Sequence, residues 1–554
     1  MRRGVEMKYI ITLFVLLVTI NSNASKLPTF EEQVDMTPWS NNVAVFTNGR
    51  VKSFETFARS FMPHIMGPRL FNNQSPTFTY FDMLIRPERY VGEAIIYVKH
   101  KGVRAAIIGV IDTSDPLVKE SMDTFMETGL VSREVLQDPS VRSLFGRMRQ
   151  DVRRFATPIE TIDSGVGASD PRTLWVVLKV IPPKSGSFED QWTTIGSANV
   201  KIEESWSEMQ RAWKLENASG VNEELKKLAV LLPALGDNGG IYPTSRKLKL
   251  ESFYFRMGNF TSIWLVYLAS TVLLLMAFVY RFNRVGKLGL ALFTLAVLLN
   301  TIAVIWRWYV SGRYPNTNMF EAITTASWMG GMFSVMMEYF LRKTSMKYVF
   351  SIGASITAIV ALSAVRLYPL ELNPHISNKM PVLHDVWLYI HVNFIIFSYC
   401  LIFVASVSAG FYLIRRMVQK FRGQDGTRDF AHSGGIATLM VVRPGNKPAL
   451  TNNIGSVLDG ATMILVELSF ILLWTGIVMG AIWADHSWGR PWGWDPKEVF
   501  ALNTFLIFVV LIHTRMKVKD KGLWTAWLAL IGCAVMLFNW IIINFTISGL
   551  HSYA

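Results

Sequence analysis

The sequence predicts a polytopic α-helical membrane protein of about eight transmembrane helices, preceded by a signal peptide and an extracytoplasmic mixed α/β domain. Three observations predict it. Of 554 residues, 51% are hydrophobic, and they are unevenly spread: before about residue 260 the chain reads as globular, after it as long apolar runs between short polar loops. Eight of those runs approach the ~20 residues that cross a bilayer. Basic residues also favour alternate loops, as they do in multi-pass proteins.

At the start, Arg2, Arg3 and Lys8 precede an apolar stretch at 9–20 and then "NSNAS". A basic n-region, a short h-region and small residues near Ala24 make a secretory signal over 1–24; an uncleaved anchor is the alternative, and Met7 is a second candidate start. Residues 25–258 are then expected outside the cytoplasmic membrane. Pieces such as "EAIIYVKH", "RAAIIGVI" and "TLWVVLKVI" read as β-rich and "SWSEMQRAWKLENA" and "NEELKKLAVLLPAL" as helical, which predicts a mixed domain with its own core. His64 and His100 are isolated there, and no catalytic signature is present.

The membrane domain, 259–554, is expected to hold helices at 262–280, 288–309, 319–341, 347–365, 386–414, 460–483, 498–513 and 523–547. With the N-terminal domain outside, the loops expected inside carry Arg281, Arg284, Lys287, Arg342, Lys343, Lys347, Arg415, Arg416, Lys420, Arg422, Arg515, Lys517, Lys519 and Lys521. The outer loops carry only Arg307, Arg313, Arg366, Lys379, Arg490 and Lys497. That asymmetry also accounts for the net charge of +14 without nucleic acid as a partner. Cys400 and Cys533 each lie in an apolar run, and neither C-x-x-C nor C-x-x-C-H occurs, so the chain is neither a dithiol redox protein nor a covalent haem carrier.

On this topology Trp306, Trp308, Trp387, Trp483, Trp488, Trp492 and Trp494 fall at or beyond the outer interface. An aromatic belt explains some of them, but not three tryptophans among Gly and Pro in "WGRPWGW". A flat indole surface at the membrane edge suits a flat, hydrophobic, partly polar ligand. Asp495 before Pro496, with Glu498 three residues on, reads as a helix N-cap with a capping box.

Histidines within membrane helices are costly and count as functional candidates. His391 is placed near the outer end of its helix, His551 follows the last helix on the outer side, and His513 lies near the inner face. Neutral imidazole is the usual protein ligand of haem iron, so the outer pair could hold a haem against the tryptophans while an inner site receives it first. An interfacial histidine bonded to a neighbouring helix is the bland alternative for each. His384, two turns from His391, and His486, inside the tryptophan loop, compete; His432 in the long inner loop is expected to be solvated.

"WADHSWGRPWGWDPKEVFAL" resembles the WWD signature of haem-handling proteins of cytochrome c maturation. With "NTNMFEAI", "WLYIHVNFIIFSY", "LIHTRM" and "GLHSYA", the sequence over about 260–554 is similar to the CcsA/ResC type of the System II pathway. The resemblance implies a cytochrome c synthase in the bacterial cytoplasmic (inner) membrane, working with a ResB/CcsB-type membrane subunit. Such a protein takes haem b from the cytoplasmic side and presents it outside, where its vinyl groups form thioethers with the C-x-x-C-H cysteines of apocytochrome c. By motif, His391 and His551 would be the outer axial ligands and His513 an intramembrane one. Trp488, Trp492, Trp494 and Asp495 would belong to the presenting loop, at about 483–498.

His384 and His486 match no histidine of the family. No helix offers an inner mate for His513, which implies a separate partner subunit or a missing fused half. The pattern gives no reading for 25–258, which would dock the partner, the apocytochrome or a thioredoxin-like thiol reductant. The rival readings are a haem exporter that forms no bond, and an electron-transfer cytochrome b with permanent haems.

Overall fold

The computed structural model describes residues 29–183, 191–197, 199–236, 242–342, 346–369, 371–376, 378, 383–427, 430–431 and 454–547. The expected signal peptide, His432 and His551 lie outside them. The chain divides into two compact units, Met1–Ser252 and Phe253–Ala554.

The first unit is far more helical than the sequence pattern suggests. Its strands form two small antiparallel pairs: β1 (Ala44–Thr47) with β2 (Arg50–Ser53), and β3 (Ile96–Tyr97) with β4 (Leu130–Val131). The β1–β2 turn is Asn48–Gly49, both with positive φ, the two-residue turn that suits the twist of a hairpin. Of the pieces expected to be β-rich, "EAIIYVKH" keeps only the two residues of β3, and "RAAIIGVI" lies mostly in the helix Lys101–Ile108. "TLWVVLKVI" opens in the helix Pro171–Val177, whose N-cap Asp170 accepts from Arg172 N at 2.9 Å. Local start signals, an N-cap His100 and an Asp–Pro pair, outweigh the β-branched content. The core is aromatic: Trp39 and Phe54 meet edge to face at 6.0 Å, and Phe81 stacks on Trp213 at 5.7 Å. Lys52 is buried beside Arg50 and Glu251; burial and then the Arg50 charge push its ammonium down to about 8.

The second unit holds eight long helices among the described residues: α1 (Trp264–Tyr280), α2 (Asn283–Ser311), α3 (Met319–Leu341), α4 (Val349–Leu367), α5 (Val386–Phe421), α6 (Ile454–Trp488), α7 (Pro496–Lys517) and α8 (Lys521–Leu537). All but α3 are long and apolar enough to cross a membrane, seven against the expected eight. What sets α3 apart is its polar content, and much of it is turned inward: Glu321, Thr325, Ser327, Ser334 and Glu338 are all buried.

Two helices outrun their expected ends by the most. α5 continues past 414 through its basic turn, because no Gly or Pro interrupts it before Gly423. α6 runs from 454 to 488 rather than 460–483, so Trp483 and Trp488 are helical and the tryptophan loop shrinks to 489–495. Gly489, at φ +68°, ends it, and its amide donates to Asp485 O at 2.9 Å, as a C-terminal glycine does.

Hydrocarbon gives apolar side chains little reason to prefer one another, so helices in membranes join through small residues and polar side chains. On α5, Ser398 Oγ donates to Ser469 O and Ser408 Oγ to Leu458 O, both at 3.0 Å on α6. Toward the tryptophan end of α6, Gly476 and Gly480 make a notch: an added Cβ would stand 2.6 Å from Ile395 Cδ1 and 2.6 Å from His391 Nδ1 respectively. Side chains on α5 therefore press directly onto the α6 backbone.

α8 does not end as a regular helix. A π-helical segment, Phe538–Ile543, follows it, then the short helix Asn544–Thr546. Such turns admit an extra residue and occur often at functional sites.

Candidate functional site

The notch, the tryptophan loop and the π-helical segment enclose one cavity of about 210 Å³. His391 on α5, Trp492 on the loop, Lys497 and Glu498 on α7, and Asn539, Trp540 and Asn544 at the C-terminal end of the bundle all line it. Met319 and Ala322 of α3 close another wall.

His391 is part-buried, with Nδ1 2.6 Å from Gly476 O. A carbonyl oxygen only accepts, so Nδ1 carries the proton and donates. That bond fixes the ring orientation, as a hydrogen bond from the other ring nitrogen does for metal-ligating histidines.

The loop is built to hold its shape. Asp495 is the buried N-cap of α7 and accepts from Lys497 N at 3.1 Å. Glu498 completes the capping box, accepting from Asp495 N at 3.1 Å and from Gly493 N at 2.9 Å. The sequence-level reading of Asp495, Pro496 and Glu498 is therefore what the structure shows. The two loop tryptophans behave differently. Trp492 lines the cavity and meets Trp494 edge to face, centroids 6.0 Å apart. Trp494 has φ +56° and is 74% exposed, an exposure and backbone strain that folding alone does not call for. Trp488 packs on the buried Trp483 at 4.8 Å.

Sequence reasoning missed the far wall. Asn539 is 6% exposed and donates from Nδ2 to Tyr399 OH at 2.9 Å, while its Oδ1 is buried without a hydrogen-bond partner. Asn544 Nδ2 is likewise unsatisfied. A buried acceptor and a buried donor without partners are costly, and both belong to residues of this cavity. Only their places, Asn539 on the π-helical segment and Asn544 directly after it, distinguish them from other asparagines in apolar runs.

The N-terminal end of α3 is tied down by charge. Glu321 is fully buried and holds Arg307 at 2.9 Å and Arg313 at 2.8 Å; Arg307 Nη1 also donates to Pro374 O at 3.0 Å. Asn318 caps α3 and donates to His375 O at 2.8 Å. Two of the six basic residues counted against the charge asymmetry thus share one carboxylate of the motif "NTNMFEAI".

The remaining candidates lie elsewhere. His513 Nδ1 donates to Val509 O one turn back on α7 at 2.8 Å, and the residue is exposed on the face of that helix. Two residues on, Arg515 is buried and grips Asp459 with two nitrogens, at 2.8 and 2.6 Å. His486 is half-exposed, 3.8 Å from Asp385 Oδ2; His384 is exposed. Among the described residues no group of three or more His, Cys, Asp or Glu could hold a bare metal ion. Both cysteines are buried and free.

The family described as Cytochrome C assembly protein matches residues 316–551, so the match ends on His551 and the first unit lies outside it. The chain is 30% identical over 269 residues to the Cytochrome c biogenesis protein CcsA of Guillardia theta, taking in 48% of this chain and 84% of the relative. It is 29% identical over 318 residues to that of Porphyra purpurea (54% and 95%) and 30% identical over 268 residues to that of Synechococcus sp. (47% and 82%).

Proposed function

This chain belongs to the CcsA family of cytochrome c biogenesis proteins, and from that premise we propose that it is the synthase subunit that presents haem b for attachment to apocytochrome c. The observation that carries the proposal is His391, its ring held on Gly476 O at the wall of a cavity shared with Trp492. Haem is the substrate, and it supplies the vinyl carbons to which the apocytochrome thiols add.

The residues present fit that substrate. At about 210 Å³ the cavity is smaller than the roughly 300–1,000 Å³ of pockets that swallow a whole ligand, so it takes an edge and leaves the other exposed. His391 supplies one axial nitrogen. The second axial ligand would be His551, tethered by the seven residues after Asn544, a reach of at most ~25 Å. Asn544 Nδ2 and Lys497 offer donors to the propionates. Trp492 and Trp494 give the ring a flat rest at the point where an incoming C-x-x-C-H segment must align its thiols, and such alignment is worth much of the barrier. Trp488 braces the loop through Trp483, and Asp495 fixes where it meets α7.

His513 faces outward from α7, so its mate would come from a ResB/CcsB-type subunit at an inner loading site. With the protein's own cysteines buried, reduction of the apocytochrome thiols falls to another protein of thioredoxin-like type. The bacterial inner membrane, with the tryptophan loop on the outer side, is the setting this reading requires.

The test is co-expression with the ResB-type partner and a reporter apocytochrome, comparing wild type with His391→Ala, His551→Ala and His513→Ala, with and without added imidazole. Covalent haem in the reporter should be lost in all three and return with imidazole in the two outer variants. Covalent haem at wild-type levels in all three would overturn the assignment. Bound haem without covalent attachment in wild type would make the chain an exporter.

A further inference from the structure

At the end of the bundle where the basic loops gather, α1, α4, α5 and α6 surround a second cavity of about 430 Å³. Its walls are apolar, with Phe278, Ile352, Phe411 and Leu458 contributed by the four helices in turn. Its polar end comes from the last turns of α5 and the residues after it, with Arg415 and Arg422 at the rim. Among the described residues that line it there is no Asp or Glu.

The way in is sideways. Val279, Ile414 and Val418 line the cavity and are 62%, 55% and 40% exposed, so it opens onto the apolar belt that faces hydrocarbon. An occupant must arrive through the bilayer, bury an apolar body between helices, and leave a negative group beside two guanidinium groups. The neighbouring Arg416, which does not line the cavity, pairs with Asp520 at 2.5 Å.

We propose that this cavity binds one anionic phospholipid, its acyl chain between α1, α4, α5 and α6 and its phosphate on Arg415 and Arg422. Guanidinium groups bind phosphate through paired N–H donors, and basic residues at a membrane surface each favour anionic lipid by about 1 kcal/mol. The site is separate from the haem cavity, although α5 joins the two: Arg415 lies 24 residues after His391 on one helix, roughly 36 Å along its axis.

Native mass spectrometry of the delipidated full chain, titrated with phosphatidylglycerol or phosphatidylethanolamine, tests this. Wild type should retain one phosphatidylglycerol per chain and bind phosphatidylethanolamine far more weakly. Arg415→Gln with Arg422→Gln should weaken phosphatidylglycerol roughly thirtyfold, the equivalent of about 1 kcal/mol per arginine. Ile352→Trp should block the lipid while leaving both arginines in place. A second basic pair, Arg281→Gln with Arg284→Gln, should change binding less than twofold. Equal binding of the two lipids, equal loss in the Arg281/Arg284 control, or unchanged binding in both the rim and the wall variants would each overturn the proposal.

Discussion

His391 and His513 bond through the same ring nitrogen but to different places. Each donates Nδ1–H to a backbone carbonyl. His391 reaches across to a different helix, at the notch made by Gly476 and Gly480, and lines a walled cavity. His513 bonds to its own preceding turn and stands exposed on α7. The first histidine is positioned by packing between two helices; the second is positioned by a bond within its own helix. On the proposed function the first site is finished inside this chain and the second needs a partner subunit, and variants should separate them.

The largest effect is expected beneath His513. Arg515→Leu leaves Asp459 buried without its cation and should lower the melting free energy in detergent by about 3–5 kcal/mol; a loss below 1 kcal/mol would mean that α7 is held by other contacts. Next comes Gly480→Val, whose Cβ must displace the His391 ring. Haem affinity at the outer site should fall about 10–100-fold, as for lost orienting groups around metal ligands, while an inner site measured with the partner subunit stays unchanged. Equal loss at both would break the distinction drawn here.

Asp495→Ala should cost about 1 kcal/mol of stability through the lost cap. Asp495→Asn, which can still cap, should restore both melting temperature and cytochrome assembly; restored melting without assembly would give the carboxylate a second role at the haem edge. Smallest of all, His513→Phe should shift stability by less than ~0.5 kcal/mol, as exposed positions do. His391→Phe should lose about 1 kcal/mol with its cross-helix hydrogen bond.

Periodicity and composition made much of this unit legible. The eight helices stand where the apolar runs are, because length and charge bias are properties of single segments. The cap at Asp495 was equally readable, since Asp–Pro with Glu at the third position is a local code. What could not be read were features created when segments meet. The pairing of Gly476 and Gly480 with Ile395 and His391 depends on how α5 and α6 cross. The role of Asn539 depends on a helix distortion that "LFNWIIINF" does not announce. In the first unit the reading erred the other way: Ala, Ile and Val in "RAAIIGVI" fit a strand, but a cap at His100 and surrounding helices chose otherwise.

The π-helical segment Phe538–Ile543 has one more consequence. A single surplus residue in a helix turns everything beyond it by roughly 100°. The bearing of the chain after Ile543 is therefore set by a count, not by any one side chain. Removing one residue from "FNWIII" would leave composition and hydropathy almost untouched and yet swing Asn544, and the tail that bears His551, a quarter-turn or more around the bundle. Homologues that differ by an insertion or deletion here would be expected to compensate within the same few residues.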